Sequence, residues 1–313
     1  MAPNARRKVQ ARPQKRKAVR ILVTGAGGFL GRSLMSKLEG RGTETLGRGP
    51  GMTYRADITG TLPDLPGYDM VVHAAGKAHS MPKDGREESE FHTVNHKGTL
   101  NLLDALERSS NPPRTFVLIS TVAVYGLEEG WSVDESHPLA GNTPYSLSKA
   151  MAEDAVTEWA GRNGADALIL RLPLVVGRNA PGNLGAMERH MRRGTYLRIG
   201  TGDARRSMVL ADDVAELVAR AWGNAGVFNL TDRYHPSIRE IDGHMSRQIG
   251  RRVRSLPTWL ARTMARVGDM VPGSPFDSYR LEKLSRTLTF NDDKAVEKLG
   301  WTPKRVVDTD FLT

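Results

Sequence analysis

Short apolar runs alternate with longer amphipathic stretches through the first half of the chain. Runs of aliphatic and β-branched residues bounded by turn formers predict strands over 19–24, 43–47, 70–74, 115–120 and 166–171. Between them, apolar residues recur at helical spacing over 29–40, 90–109 and 144–162. The first stripe is Leu30, Leu34, Met35 and Leu38, the second Val94, Leu100, Leu102, Leu103 and Leu106, the third Ala150, Ala155, Val156 and Trp159. This alternation predicts an α/β fold, a doubly wound parallel sheet covered by helices on both faces. Beyond Arg171 the pattern loosens into Gly-, Pro- and Arg-rich connections around 177–201. A helix beginning at Asp212 and a strand over Val227–Leu230 follow, before a remainder broken by Pro257, Pro272, Pro275 and Pro303. The expected organisation is a sheet domain over 19–176, to which 207–230 return, and a smaller, mostly helical C-terminal lobe formed by 177–206 and 231–313. Such a lobe would close over the carboxyl ends of the strands, where open α/β sheets bind ligands.

Composition changes this picture little. The 313 residues suffice for a sizeable core, and 39% hydrophobic with 26% charged residues is ordinary for a globular protein. No apolar run is long enough to span a bilayer, and no secretory segment follows Met1. Cysteine is absent, which excludes disulfides, thiolate metal sites and cysteine nucleophiles, and fits the cytoplasm. No metal is expected. The net charge of +10 is concentrated at the start, where residues 1–20 hold eight Lys and Arg and no acid. Residues 1–18 are expected to be a disordered basic tail. Without interleaved aromatics to stack bases, specific nucleic-acid binding is not expected of it.

Candidate chemistry begins at Thr24-Gly25-Ala26-Gly27-Gly28-Phe29-Leu30-Gly31, between the first strand and the first helix. A strand, a glycine turn and a helix N-terminus are what a dinucleotide pyrophosphate needs. Gly25 permits the tight turn, Gly28 lets backbone N–H groups approach phosphates, and Gly31 lets the helix pack close to the strand. Further along, Tyr145 and Lys149 stand one helical turn apart behind Asn142-Thr143-Pro144, a capping sequence. A phenol titrates near 10, too high for efficient proton exchange at neutral pH, and a neighbouring ammonium would lower it. Ser120-Thr121 ends the strand Phe116–Ile119, so its hydroxyls are expected at the ligand crevice.

Together these segments resemble the extended short-chain dehydrogenase/reductase family, in its nucleotide-sugar branch. The resemblance runs from Val19 to Lys304. It rests on TGAGGFLG at 24–31, HAAG at 73–76, Asn95 in VNHKGT, STVAVYG at 120–126, YSLSK at 145–149, LRLPLVVGR at 170–178, RSMVLADDVA at 206–215 and KLGWTPK at 298–304. It implies a Rossmann-like sheet and a catalytic set of Thr121, Tyr145 and Lys149 with Ser120 beside it. Tyr145 would exchange a proton with a sugar hydroxyl as hydride moves to or from a nicotinamide, and Lys149 would also hold the ribose. Cofactor contacts are implied at Gly25, Gly27, Gly28, Phe29, Leu30, Gly31, Asp57, Ile58, Ala74, Ala75, Gly76, Asn95 and Leu172. Substrate contacts are implied at Thr121 and, near the diphosphate, at Asn183 and Arg206. Relatives often pair as homodimers through two helices, including the one bearing the tyrosine.

Relatives that prefer NAD carry an acid after the second strand for the ribose hydroxyls, whereas Thr45-Leu46-Gly47-Arg48 has none in register. Arg48 suits a 2′-phosphate, so NADP(H) is expected over NAD(H). A 4,6-dehydratase of this branch needs an Asp-Glu pair after the threonine, where Val122 and Ala123 stand, and the 3,5-epimerase/reductases use a cysteine. Carbonyl redox at C4 remains, as in bacterial reductases of UDP-4-keto-6-deoxy-hexosamines or in UDP-sugar 4-epimerases that retain NAD. A reductase of a small hydrophobic ketone is the rival, and a non-catalytic NADP sensor the third reading. Arg251-Arg252-Val253-Arg254, followed by Leu256, Trp259, Leu260, Met264 and Val267, fits either a helix packed on the lobe or a basic amphipathic helix in peripheral contact with lipid.

Overall fold

The computed structural model describes residues 19–78, 84–109, 111–270 and 277–312. The expected tail over 1–18 lies outside them. Seven strands, β1 (Ile21–Thr24), β2 (Thr43–Gly47), β3 (Tyr54–Arg55), β4 (Met70–His73), β5 (Thr115–Thr121), β7 (Asp166–Leu172) and β11 (Gly226–Asn229), form one all-parallel sheet in the order 11-7-5-4-1-2-3. Order reverses between β1 and β4, so the crevice beyond their carboxyl ends is the natural ligand position. Helices α1 (Phe29–Leu38), α2 (Gly85–Phe91), α3 (Gly98–Glu107) and α4 (Pro144–Asn163) supply the first crossovers, and α5 (Gly182–Arg193) and α6 (Ala211–Val218) follow β7.

Successive strand residues point to opposite faces, and each face has its own core. Val23, Val72, Val117 and Leu170 pack with Leu34 of α1 and with Val214 and Leu217 of α6. Leu22, Val71, Phe116 and Ile169 pack with Leu102 of α3 and with Val156 and Trp159 of α4. The expected α/β sheet with helices on both sides is therefore present.

The helix expected over 90–109 starts earlier. Asp84 accepts a hydrogen bond from the Glu87 amide at 2.9 Å and caps α2, whose polar first turn has no apolar periodicity to betray it. Between α2 and α3 the chain winds through a π-turn, His92–Lys97.

Short parallel pairs bring the remaining segments together: β8 (Leu174–Val176) with β10 (Met208–Leu210), β9 (Leu197–Ile199) with β12 (Arg254–Leu256), and β6 (Gly130–Val133) with β13 (Leu288–Phe290). Helices α7 (Ile238–Ile249), α8 (Thr258–Asp269), α9 (Ser278–Ser285) and α10 (Asp293–Leu299) complete the chain. A third core joins Val176, Leu184, Met191, Met208, Ile241, Met245 and Phe311. Trp301 returns to the first core, its indole donating to the Thr231 carbonyl at 3.0 Å. Among the described residues, no helix is long and apolar enough to cross a membrane.

Candidate active site

Gly25, at φ 76°, makes the turn after β1, and a Cβ there would lie 2.5 Å from the Ala75 nitrogen. A Cβ on Gly31 would lie 2.0 Å from the Gly25 carbonyl oxygen. These two positions exclude side chains because the turn, the strand end Ala74–Ala75 and α1 touch through backbone. Helix α1 begins with Gly28 at its N-cap, without a side-chain cap and without an acid in its first turn. Its first N–H groups and its positive end are left to an anionic ligand.

Two contiguous cavities, about 780 and 330 Å³, share Gly25, Gly28 and Ala74–Gly76 as walls. The larger is bordered by Gly27, Arg48, Met52, Asp57 and Ile58. The smaller is bordered by Phe29, Leu30, Gly31, Asn95, Ser120, Thr121, Tyr145, Lys149, Leu172 and Pro181. The crevice thus has one arm at the end of β2 and another at the ends of β5 and β7. Asp57 accepts from the Thr59 amide at 3.0 Å and hydroxyl at 2.8 Å and lies 3.7 Å from the Arg48 guanidinium. Those contacts, the Thr59 bonds first, hold its carboxyl below the usual range.

Tyr145 and Lys149 owe their common face to the start of α4. Thr143 accepts from the Ser146 amide at 3.1 Å, Ser146 Oγ accepts from the Thr143 amide at 3.0 Å, and Pro144 opens the helix. The Tyr145 ring meets Phe91 edge-on at 6.0 Å, and its hydroxyl is hydrogen-bonded to Thr121. Burial pushes this phenol above its ordinary value, with the Thr121 bond opposing. The neighbouring ammonium does not lower it as the sequence reading expects. Lys149 Nζ instead donates to the Ile119 carbonyl at 2.6 Å. Burial also pushes Lys149 down to about 8, against the pull of the Glu153 carboxylate one turn further on.

Behind these groups lies a buried polar network. Ser120 donates to Glu153, which holds Arg171 through Nε at 3.1 and 3.2 Å and through Nη2 at 2.6 Å. Arg171 Nη1 donates to the Tyr125 hydroxyl at 3.0 Å, and that hydroxyl donates to Asn229 at 2.8 Å. A second chain runs beneath the glycine turn. His73 bridges Thr24 at 2.7 Å and Thr99 at 2.9 Å, and Thr99 donates to the Asn95 carbonyl at 2.5 Å. Burial drives His73 down to about 3, so it is neutral. Asn95, 1% exposed within the π-turn, accepts from the Lys77 amide at 2.7 Å. Its amide nitrogen donates to the Lys77 carbonyl and to Ser148, each at 3.0 Å.

Sequence reasoning missed several of these participants. Glu153 was legible, one turn beyond Lys149 on the same face, and so was Arg171, a lone charge in an apolar strand run. Met52, in a glycine-rich loop without periodicity, gave no signal. Two expected substrate contacts do not border the crevice. Asn183 is exposed in the first turn of α5, two residues after Pro181. The Arg206 guanidinium donates to the carbonyls of Arg205 at 2.9 Å, Lys283 at 2.6 Å and Arg286, gathering the C-terminal end of α9.

Comparison with known proteins accords with this architecture. The chain is 30% identical over 315 residues to a 4-hydroxy-2-methyl-3-oxo-4-farnesyl-3,4-dihydroquinoline-1-oxide ketoreductase of Stigmatella aurantiaca, covering 90% of this chain and 92% of that one. It is 26% identical over 252 residues to the N-acetyl-alpha-D-glucosaminyl-diphospho-ditrans,octacis-undecaprenol 4-epimerase of Escherichia coli O157:H7, covering 75% and 74%. Among solved structures, RMD from Pseudomonas aeruginosa complexed with NADPH has the same fold, with TM-score 0.67, 24% identity and coverage of 92% and 95%. The UDP-glucose 4-epimerase of Thermus thermophilus in complex with NAD superposes with TM-score 0.70 at 23% identity, covering 91% and 94%. The sequence pattern of one family matches residues 21–230, the greater part of the chain. This chain is therefore a nicotinamide-dependent enzyme of the NAD dependent epimerase/dehydratase family.

Proposed function

We propose that this enzyme reduces a carbonyl at C4 of a diphosphate-activated sugar of the UDP-4-keto-6-deoxy-hexosamine type, with Thr121, Tyr145 and Lys149 as the acting groups and Ser120 beside them. The observation that carries the reading is the meeting of those three side chains at one wall of the crevice, opposite the glycine turn. A bare helix N-terminus and backbone too close for side chains fit a dinucleotide pyrophosphate. When bound, a reduced nicotinamide supplies the hydride. The raised phenol of Tyr145 is protonated at neutral pH, the form that gives a proton to a carbonyl oxygen. Thr121, bonded to the phenol, orients the same oxygen, and the Lys149 ammonium steadies the phenolate left behind.

Arg48, at the end of β2 with no acid in register, favours NADP(H), through the guanidinium's fit to a 2′-phosphate. Asp57 and Ile58 are assigned to the adenine end and Lys149 to the ribose. The segments 177–206 and 231–313 are assigned to the substrate, with Asn183 near its diphosphate. Arg206 joins them only by leaving the carbonyls of α9. Exposed Leu100, Leu147 and Met151 on adjoining faces of α3 and α4 support pairing as a homodimer.

Turnover of NADPH with such a keto-sugar should fall about a thousandfold in Tyr145→Phe, the scale of a lost general acid. Undiminished turnover refutes the assignment. A second reading is favoured by the relatives. The Escherichia coli epimerase and the Stigmatella ketoreductase both act on molecules with an isoprenoid chain, which supports a sugar diphosphate on a polyprenol, epimerised or reduced, or a hydrophobic ketone. An epimerase interconverts its substrates with no net change in nicotinamide absorbance, which separates the two reactions.

A further inference from the structure

Helix α8 presents three distinct stripes. At 3.6 residues per turn, Ala261 and Ala265 share the side buried against Leu281 of α9, with Leu256 and Ile199 alongside. Trp259, Val267 and the terminal Met270 fall on the opposite side with Met264 next to them, and they are 69%, 59%, 83% and 49% exposed. Arg262 and Arg266 take the remaining edge, beside Trp259. Single exposed apolar residues are normal on any protein, but four on one face of one helix mark an interaction surface.

Charge decides among the occupants. Arg251, Arg252 and Arg254 lie just ahead of this helix in the chain, and none of these three nor Arg262 or Arg266 is salt-bridged among the described residues. The helix's one acid, Asp269, is engaged by the Ser278 amide at 2.8 Å and hydroxyl at 2.6 Å. A two-fold pairing of this face with a second copy would set these arginines against their own kind. An anionic bilayer satisfies both features at once, taking the tryptophan and aliphatic side chains at its interface and the guanidinium groups at its phosphates.

We propose that α8 is an in-plane docking helix for the anionic surface of a lipid membrane. The helix is coupled to the catalytic region. Arg262 and Arg266 border a cavity of about 470 Å³ shared with α9 and with Gly200–Ala204. Arg206 gathers the carbonyls of α9, and Tyr279 of α9 donates to Glu128, close behind the Thr121 strand end. Docking holds the crevice at the bilayer, where a substrate on an isoprenoid anchor is found. It does not depend on which carbonyl is reduced, because its readout is binding.

The test is flotation of the full chain with vesicles of phosphatidylcholine alone and of equal parts phosphatidylcholine and phosphatidylglycerol, in low and high salt. The chain should float with the anionic vesicles in low salt only. Trp259→Ala and Val267→Asp, both at exposed positions, should each weaken binding roughly tenfold while leaving the melting temperature and NADPH affinity in place. Arg262→Glu with Arg266→Glu should abolish it. Three results overturn the proposal. One is absence of flotation, and another is flotation undiminished in the variants, which moves the contact to the basic residues 1–20. The third is a solution mass that falls on Trp259→Ala, which makes the face a contact between copies.

Discussion

Replacing Glu153 by Gln breaks a buried ion pair without changing its shape. The side chains of Glu153 and Arg171 are 4% and 6% exposed, and three guanidinium contacts of 2.6–3.2 Å join them. Removing one partner strands the other charge in a medium that solvates it poorly, at about 3–5 kcal/mol. For a chain of this length, at about 2 °C per kcal/mol, Glu153→Gln should melt roughly 6–10 °C lower by calorimetry. Glu153→Met combined with Arg171→Met removes both charges and should recover more than half of that loss. Recovery stays incomplete because the Ser120 and Tyr125 hydroxyls each lose a partner, at about 1–3 kcal/mol.

The same carboxylate supports the Lys149 ammonium, so a second readout is available. Lys149 is held at about 8, so kcat/KM should fall as pH rises through that value and the ammonium is lost. Without Glu153 this limb should move to lower pH, in the double variant as well as in the single one. The sign for stability is opposite to that for activity. Because burial lowers this lysine from 10.5 to about 8, only the unfolded chain keeps the proton between those values, and folding gains stability as pH rises through them. A single variant that melts within a degree or two of the parent, or a double variant no more stable than the single, would refute the buried-pair argument. An unmoved pH limb would sever Glu153 from Lys149.

Other expectations are simpler. Gly31→Ala forces a methyl to within 2.0 Å of the Gly25 carbonyl, so α1 must withdraw from the turn, and NADPH affinity should fall about a hundredfold by fluorescence titration. Arg48→Glu should raise the KM for NADPH roughly tenfold and lower that for NADH, the balance expected of a lost phosphate contact and a gained ribose acceptor. Asn95→Ala strips the Lys77 backbone and Ser148 of their buried partner and should cost about 1–3 kcal/mol of stability by denaturant titration, with kcat reduced.

Much of the sheet and its crevice was legible because those segments obey local rules. The strand Thr43–Gly47 matches its expected span, and the helix behind Pro144 starts where its capping sequence puts it. Glycines that admit no Cβ announced the phosphate turn, and a Tyr-x-x-x-Lys spacing needs only one helical turn to align. What was hidden depends on partners distant in sequence. The paired strands at 130–133 and 288–290 are too short to carry a period, and each is defined by the other. Arg206 shows the same limit. Its chemistry suits phosphate, but carbonyls some eighty residues away decide where its guanidinium goes. The phenol's raised value was hidden too, since it follows from desolvation by the folded surroundings and not from the lysine four residues on.

The π-turn at His92–Lys97 has a consequence for how this segment tolerates insertion and deletion. A wider turn is an α-helix carrying one surplus residue, and Asn95 sits within it. Excising that residue would restore regular winding and rotate everything downstream by about 100°. Thr99, Leu102, Leu103 and Leu106, all buried, would then swing off the sheet together. Among homologous chains the length of this stretch should therefore be invariant even where its residues change, as in a loop whose indels are forbidden by the register of the helix it feeds.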